Sequence, residues 1–201
     1  MINKDVISLE QAVYINVCIR KNESRTKRIA EPLMRELSKR YVIKEIDLTE
    51  SDLQPVTGQR YIQRSIGDYH PSIIQAAEAV ASAERIIIAC PFWDMSFPSV
   101  LKVFCENISI SGITFKNNDN GTTKGNCKAS KLLLITTRGM NIEDESELDQ
   151  GSSYLKALCW LWGIPEFKVI SSNGLDLCDE KQQNQLIEKA ITKGLKICED
   201  F

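Results

Sequence analysis

Histidine is nearly absent from this sequence, because His70 is the only one among its 201 residues. Without a second histidine, a mechanism built on a paired His base has little support, and we expect no metal centre. The GxSxG elbow of serine hydrolases is missing as well, which argues against that class of enzyme. His70 directly precedes Pro71, and we interpret it as a loop residue rather than a catalyst.

Long apolar runs are also missing. No segment approaches the ~20 apolar residues of a membrane-spanning helix, and the first residues, MINKDVISLE, are too polar for a signal peptide. The seven cysteines form no CxxC pair, and Cys18, Cys90 and Cys105 lie in apolar runs, as is typical of reduced thiols. The net charge of −2 predicts no nucleic-acid surface. We therefore expect a soluble cytoplasmic protein that binds neither membranes nor nucleic acids.

What the chain does contain is an alternation of short apolar segments and amphipathic helices. RIIIAC and KLLLIT are almost wholly apolar, which is typical of parallel strands covered by helices on both faces. We predict one α/β domain over residues 1–201, with a doubly wound, five-stranded parallel sheet flanked by helices. The predicted strands are 14–19, 42–48, 85–90, 131–136 and 167–171, the predicted helices are 28–40, 71–83, 99–110, 152–162 and 180–198, and 49–70 and 116–130 are predicted to be irregular.

Ligands of doubly wound sheets bind beyond the carboxyl ends of the strands, so the loops there are the candidate site. The first such loop, residues 20–26, opens a helix for which Ser24 is a suitable N-cap. The helix N-terminus, the Thr26 hydroxyl and the Arg25 guanidinium together favour a phosphate group. The alternative is an N-cap followed by a solvated basic face. The loop lacks GxxxxGK[ST] and GxGxxG, so neither a P-loop nor a Rossmann dinucleotide site is predicted.

The second loop follows RIIIAC and contains Phe92, Trp93, Asp94 and Met95. Large apolar side chains at a strand end are explained either by a flat aromatic ligand or by a hydrophobic turn that packs on the next helix. Both interpretations stay open for this loop taken alone.

The third loop, Thr137 to Met140, follows KLLLIT. Gly139 permits a close approach of the backbone to a ligand, and Thr137 and Arg138 carry hydrogen-bond donors for a ligand carbonyl or ring nitrogen. The alternative is a plain polar turn. Taken together, one phosphate-like loop and two loops suited to a flat ring form the layout that flavin mononucleotide (FMN) needs.

The same loops carry a resemblance. ACPFWDM at 89–95, then Leu101, Lys102 and Phe104, then GITF at 112–115, resemble the FMN-dependent NADH-azoreductase and NADH:quinone oxidoreductase family, whose pattern is A-P-M-Y-N-F, L-K-N-x-F and G-x-T-F. ITTRG at 135–139 resembles its I-T-S-R-G-G. The similarity continues in order along nearly the whole chain, so it implies a flavodoxin-like fold.

The resemblance also implies a function and a set of contacts. NADH or NADPH would reduce the flavin, and a quinone or azo compound would then take the electrons in a ping-pong sequence, with no protein acid or base required. Family members are homodimers, for which Trp160, Leu161 and Trp162 form a candidate surface unless they pack in the core. The implied FMN contacts are Ser24, Arg25 and Thr26 at the phosphate, Phe92, Trp93, Asp94 and Met95 along the isoalloxazine, and Thr137, Arg138, Gly139 and Met140 at its other edge.

Three positions depart from the family pattern, and one of them is Asn117, where the family often has an aromatic residue. Asp94 stands where the family has Asn, and an anionic side chain there disfavours the anionic reduced flavin. Met140 stands where the family's R-G-G motif has its second Gly, and its larger side chain narrows the pocket for the electron acceptor. These departures leave open a flavin-binding sensor module without turnover. A non-catalytic electron carrier of the flavodoxin type is the other rival, although the net charge of −2 argues against its acidic docking face.

Overall fold

The molecule is built around a parallel sheet with helices on both faces. A computed structural model describes residues 9–201. The strands are β1 (Glu10–Asn16), β2 (Tyr41–Asp47), β3 (Arg85–Ala89), β4 (Phe115–Asn117), β5 (Thr123–Gly125), β6 (Lys131–Thr137) and β7 (Glu166–Ser172). The helices are α1 (Arg25–Leu37), α2 (Gln59–Ser65), α3 (Pro71–Ser82), α4 (Ser99–Ile108), α5 (Gln150–Trp162) and α6 (Glu180–Glu199).

The five strands of the main sheet lie in the order β2-β1-β3-β6-β7, and every neighbouring pair is parallel. This order confirms the predicted doubly wound, five-stranded parallel sheet. The chain runs outward from β1 to β2 and then returns past β1 to β3, so the winding reverses between β1 and β3. The connections diverge at such a reversal and leave a crevice beyond the carboxyl ends of the strands.

Alternation along the strands divides the core between the two faces of the sheet. Ile86 and Ile88 belong to the cluster that α3, α4 and α5 cover, whereas Ile87 and Leu133 belong to the cluster that α1 and α6 cover. All four are fully buried, and burying a side chain of this size stabilises a fold by about 1.5–3 kcal/mol. Burial on both faces explains why β3 and β6 are almost entirely apolar.

The first strand lies closer to the N-terminus than its apolar run suggests. The predicted strand 14–19 is wrong at both ends, because β1 begins at Glu10 and ends at Asn16. Its polar first residues still pair with β2, where Glu10 lies opposite Tyr41. The strand ends where the Asn16 Oδ1 accepts the backbone N–H of Cys18 at 3.0 Å. Hydrophobicity alone conceals such a polar strand start.

The first helix is displaced in the same direction. The predicted helix 28–40 begins instead at Arg25 and ends at Leu37. The Ser24 Oγ accepts the backbone N–H of Lys27 at 3.2 Å, which confirms Ser24 as the N-cap and fixes the start of α1. The other predicted helices and main-sheet strands match within two residues at each end. None of the helices between residues 9 and 201 is long and apolar enough to cross a membrane.

The segment 49–70 is not wholly irregular, because it contains the short helix α2. Arg64 of α2 donates to the carbonyl of Glu106 at 2.7 Å and also to that of Ser109. These carbonyls lie at the end of α4, where a helix lacks internal donors, so Arg64 both caps α4 and anchors α2.

The segment 116–130 also contains regular structure that the sequence did not predict. Strands β4 and β5 form a small antiparallel hairpin with Phe115 opposite Gly125. A Cβ on Gly125 would lie 2.0 Å from the backbone nitrogen of Gly163, which ends α5. Only glycine therefore fits at the contact between the hairpin and α5.

Candidate functional site

The topology brings the three predicted loops to one edge of the sheet. Strands β1, β3 and β6 are neighbours, so the segments that follow them lie side by side at their carboxyl ends. The Phe92 N–H donates to the carbonyl of Thr137 at 3.0 Å, which joins the second loop to the third. The hydroxyls of Thr26 and Thr137 lie 2.6 Å apart, which joins the first loop to the third. The three loops are therefore held together at this end of the sheet.

The first loop ends in the amino terminus of α1. Ser24 caps this helix, and Thr26 is fully buried in its first turn. The first turn of any helix leaves backbone N–H groups without helical acceptors, and the helix dipole adds partial positive charge there. The end of α1 is therefore suited to an anion.

Asp176 is a site residue that the sequence pattern did not reveal. Its Oδ1 accepts from the Arg25 Nη1 at 2.8 Å, and its Oδ2 lies 1.9 Å from where a Cβ on Gly139 would be. The Asp176 N–H also donates to the Gly139 carbonyl at 3.0 Å, so Asp176 fastens the first loop to the third. The available signal was its place just after β7, the strand next to β6.

The second loop is a tight two-residue turn held in a strained conformation. Trp93 and Ser96 exchange two backbone hydrogen bonds of 3.2 and 2.8 Å, with Asp94 and Met95 at the tip. Both tip residues have left-handed backbones, with φ of 47° and 64°, which costs about 1–2 kcal/mol for each non-glycine residue. Strain of this kind concentrates at ligand sites. Trp93 is 42% exposed, so the turn offers an aromatic side chain at its surface.

The third loop is supported from inside by Arg138. The guanidinium is 0% exposed, and its Nη2 donates to the Asp149 Oδ2 at 2.6 Å. Its Nη1 donates to Asp144 and to the Asn173 Oδ1. The terminal nitrogens of Arg138 are therefore committed to internal acceptors, and its contact with a ligand stays a prediction. Met140, at 51% exposure, and Gly139 are the outward parts of this loop.

Two buried thiols, those of Cys18 and Cys90, lie just after β1 and β3 and are unreactive. Burial raises the pKa of the Cys18 thiol to about 11, and burial also raises the pKa of the Cys90 thiol. Both thiols stay protonated at neutral pH, and only a thiolate is a strong nucleophile. The single histidine has a structural role, because the His70 Nδ1 accepts the Ser72 N–H at 3.3 Å and caps α3. The interpretation of His70 as a loop residue is confirmed.

Comparison with known proteins connects this geometry to a family. The family described as having a flavodoxin-like fold matches residues 11–196 of the chain. The chain belongs to this family. The chain is 28% identical to an FMN-dependent NADH:quinone oxidoreductase of Clostridium perfringens, over 96% of this chain and 100% of that protein. It is 31% identical to an FMN-dependent NADH:quinone oxidoreductase of Clostridium beijerinckii, over 78% of this chain and 76% of that protein. These relatives confirm the resemblance noted in the sequence.

A solved structure shows the same flavodoxin-like fold. The FMN-dependent NADH-azoreductase from Bacillus anthracis, in complex with FMN, superposes with a TM-score of 0.80 at 16% sequence identity. The match covers 96% of this chain and 99% of that chain, so it extends over the whole sheet and its helices.

Proposed function

We propose that this chain is an FMN-dependent oxidoreductase that passes electrons from NADH or NADPH to quinones, azo compounds or both. The observation that carries the proposal is the joining of three loops at the point where the winding of the sheet reverses, with a helix amino terminus at one end of them and an aromatic turn beside it. The names of the relatives from Clostridium support the same activity.

The phosphate end of FMN fits the first loop. Ser24, Arg25 and Thr26 would lie at the phosphate, where the backbone N–H groups of the first turn of α1 supply donors and Arg25 supplies a positive charge. Arg25 is held by Asp176, which limits the positions that its guanidinium can take.

The ring end of FMN fits the second and third loops. Phe92, Trp93, Asp94 and Met95 would lie along the isoalloxazine, because their turn carries the exposed aromatic side chain of Trp93. On the other edge, Thr137, Gly139 and Met140 would line the ring, and Arg138 would support them from below. The fit rests on the chemistry of these residues, which supply donors for the polar edge of the ring and apolar contact for its face.

The division of labour follows from what the residues lack. Bound FMN supplies the two-electron chemistry, and the protein supplies placement and electrostatics. The buried thiols remain protonated, and Asp94 places a carboxylate on the exposed turn. Since donor and acceptor would use the same open face in turn, we expect parallel lines in double-reciprocal plots, as a ping-pong sequence requires.

We further propose that the chain acts as a homodimer in the cytoplasm. A groove of about 560 Å³ between α4 and α5 is lined by Phe115, Tyr154 and Leu161 among others, and Trp160 beside it is 73% exposed. Trp162, in contrast, is buried and donates to the Ser109 Oγ at 3.1 Å, so it belongs to the core. The seven cysteines are all free, which suits a reducing compartment.

The test is a titration of the purified apoprotein with FMN, followed by NADH oxidation with menadione in the same sample. We expect flavin fluorescence to be quenched at a stoichiometry of one, and NADH loss that requires both FMN and menadione. FMN binding without turnover would favour the carrier or sensor alternative. No FMN binding would refute the proposed function and leave the fold assignment in place.

A further inference from the structure

Arg138 stands out among the charged residues because it is fully buried yet adjoins the candidate site. Burying an arginine is costly unless each charge has a partner, and this one has two carboxylates. Its Nη2 meets the Asp149 Oδ2 at 2.6 Å, and its Nη1 meets Asp144. A buried guanidinium of this kind either stabilises the fold alone or also fixes the geometry of the neighbouring candidate site.

Asp149 connects Arg138 to the start of α5. Its Oδ1 accepts the Ser152 N–H at 3.0 Å and so caps the helix, while its Oδ2 accepts both Arg138 and the Glu145 N–H. The next residue, Gln150, donates its N–H to the Met95 carbonyl at 3.1 Å. The pair of Arg138 and Asp149 therefore positions Gln150, whose N–H holds the Met95 end of the strained turn.

Arg138 also holds the near end of the same turn. Its guanidinium lies over the Phe92 ring, with the central carbon 5.2 Å from the ring centroid. The Phe92 N–H also donates a hydrogen bond to the carbonyl of Thr137, the residue before Arg138. Asp94 and Met95 therefore lie between two segments that both contact the Arg138 guanidinium, Phe92 directly and Gln150 through Asp149. A conformation of that kind persists only where its surroundings determine it more than once.

We infer that Arg138 is a positioning residue, which holds the turn from Phe92 to Met95 in its ligand-binding geometry through Phe92 and Asp149 without touching the ligand. The inference rests on the proposed function, because the ligand of the turn is FMN. We expect that lysine does not replace Arg138, since a compact ammonium lacks the planar fork of donors that contacts both carboxylates while it lies over a ring face.

The experiment compares FMN affinity and the visible circular dichroism of bound flavin in Arg138→Lys, Arg138→Met and Asp149→Asn. Asp149→Asn keeps the oxygen that caps α5 and removes the charge that faces Arg138, so it serves if the Arg138 variants do not fold. We expect each folded variant to bind FMN at least tenfold more weakly than the unmodified chain. We also expect an altered dichroism spectrum of the flavin that remains bound.

Arg40→Met is the matched control. Arg40 also lies over an aromatic ring, that of Tyr41 at 5.6 Å, and it donates to the Glu199 carbonyl at 3.2 Å. It directly precedes β2, so it lies at the amino ends of the parallel strands, whereas the candidate site lies at their carboxyl ends. We expect its FMN affinity to stay within twofold of the unmodified chain, whatever its thermal stability.

Three results are decisive. Unchanged affinity and dichroism in folded Arg138→Met or Asp149→Asn would overturn the positioning role. An equal loss of affinity in Arg40→Met would overturn it too, because general destabilisation would then explain the effect. Failure of the unmodified chain to bind FMN would instead refute the proposed function on which the inference rests.

Discussion

The second and third loops border the same edge of the sheet, yet they are built in opposite ways. The turn at 92–95 is partly exposed, with two left-handed residues at its tip and Trp93 at its surface. The loop at 137–140 begins with two buried residues, Thr137 and Arg138, and is fastened by charged and hydroxyl contacts. The second loop exposes its tip to solvent, and contacts of the third loop hold both ends of it in place.

The contrast explains how a strained turn survives in a marginally stable protein. Two left-handed residues cost a few kcal/mol, which is a sizeable part of the 5–15 kcal/mol that stabilises a typical domain. The cost is tolerated because the network around Arg138 holds both ends of the turn. Substitutions in the third loop and its partners should therefore affect stability, whereas substitutions at the tip of the second loop should affect function more.

The largest effect is expected from Asp149→Ala. The change leaves the buried Arg138 with a missing partner and removes the cap of α5, so the free energy of unfolding should fall by about 3–5 kcal/mol. Urea denaturation followed by circular dichroism measures the loss. Glu147→Ala, on the same loop but exposed, should change it by less than about 0.5 kcal/mol. Equal behaviour of the two variants would show that the buried pair of Arg138 and Asp149 does not stabilise the third loop.

A smaller effect is expected where the first and third loops meet. Thr26→Val or Thr137→Val alone leaves a buried hydroxyl without its partner, which should cost about 1–3 kcal/mol. The double variant should cost less than the sum of the two single variants, because neither hydroxyl then remains. Denaturation of the four proteins without flavin gives the coupling energy. Strict additivity would show that the two hydroxyls do not act as a pair.

The strain in the second loop is tested at its exposed tip. Asp94→Val places a branched side chain on a backbone with φ of 47°, so the free energy of unfolding should fall by about 1–2 kcal/mol. Asp94→Gly, which relieves the left-handed strain, should leave stability unchanged or raise it slightly. A Gly variant less stable than the Val variant would contradict the conformation described for the turn.

The smallest effect concerns flavin electrostatics. Asp94→Asn removes a negative charge from the turn, and a unit charge within a few ångströms in water is worth about 1 kcal/mol. The midpoint potential of bound FMN should therefore rise by about 20 mV for the two-electron couple. Spectroelectrochemical titration measures it, and Asp52→Asn, an exposed control elsewhere, should not shift it. An unchanged or lower potential in Asp94→Asn would show that the charge does not face the flavin.

Much of the fold could be predicted from the sequence, because strands buried on both faces leave continuous apolar runs and helices leave a periodic pattern. β3 and β6 were clear for this reason. β1 was displaced because polar residues such as Glu10 can still occupy the start of a strand. The β4–β5 hairpin was missed because strands of three largely polar residues carry no such pattern.

The candidate site was predictable in its location and less so in its internal contacts. The three loops follow from strand ends and topology, and Ser24 follows from the chemistry of helix caps. The direction of the Arg138 side chain did not follow, because its acceptors lie 6, 11 and 35 residues away in the sequence. The contact of Arg25 with Asp176 spans 151 residues, so no local pattern could have shown it.

The most direct test of the account is to measure the affinities of FMN and riboflavin for the apoprotein side by side. The two ligands share the ring system and differ by the phosphate, which the account places at the amino terminus of α1. FMN should bind about 100-fold more tightly, as expected when a helix terminus and charged donors hold the phosphate. Equal affinities would contradict the account, because the first loop would then take no part in binding.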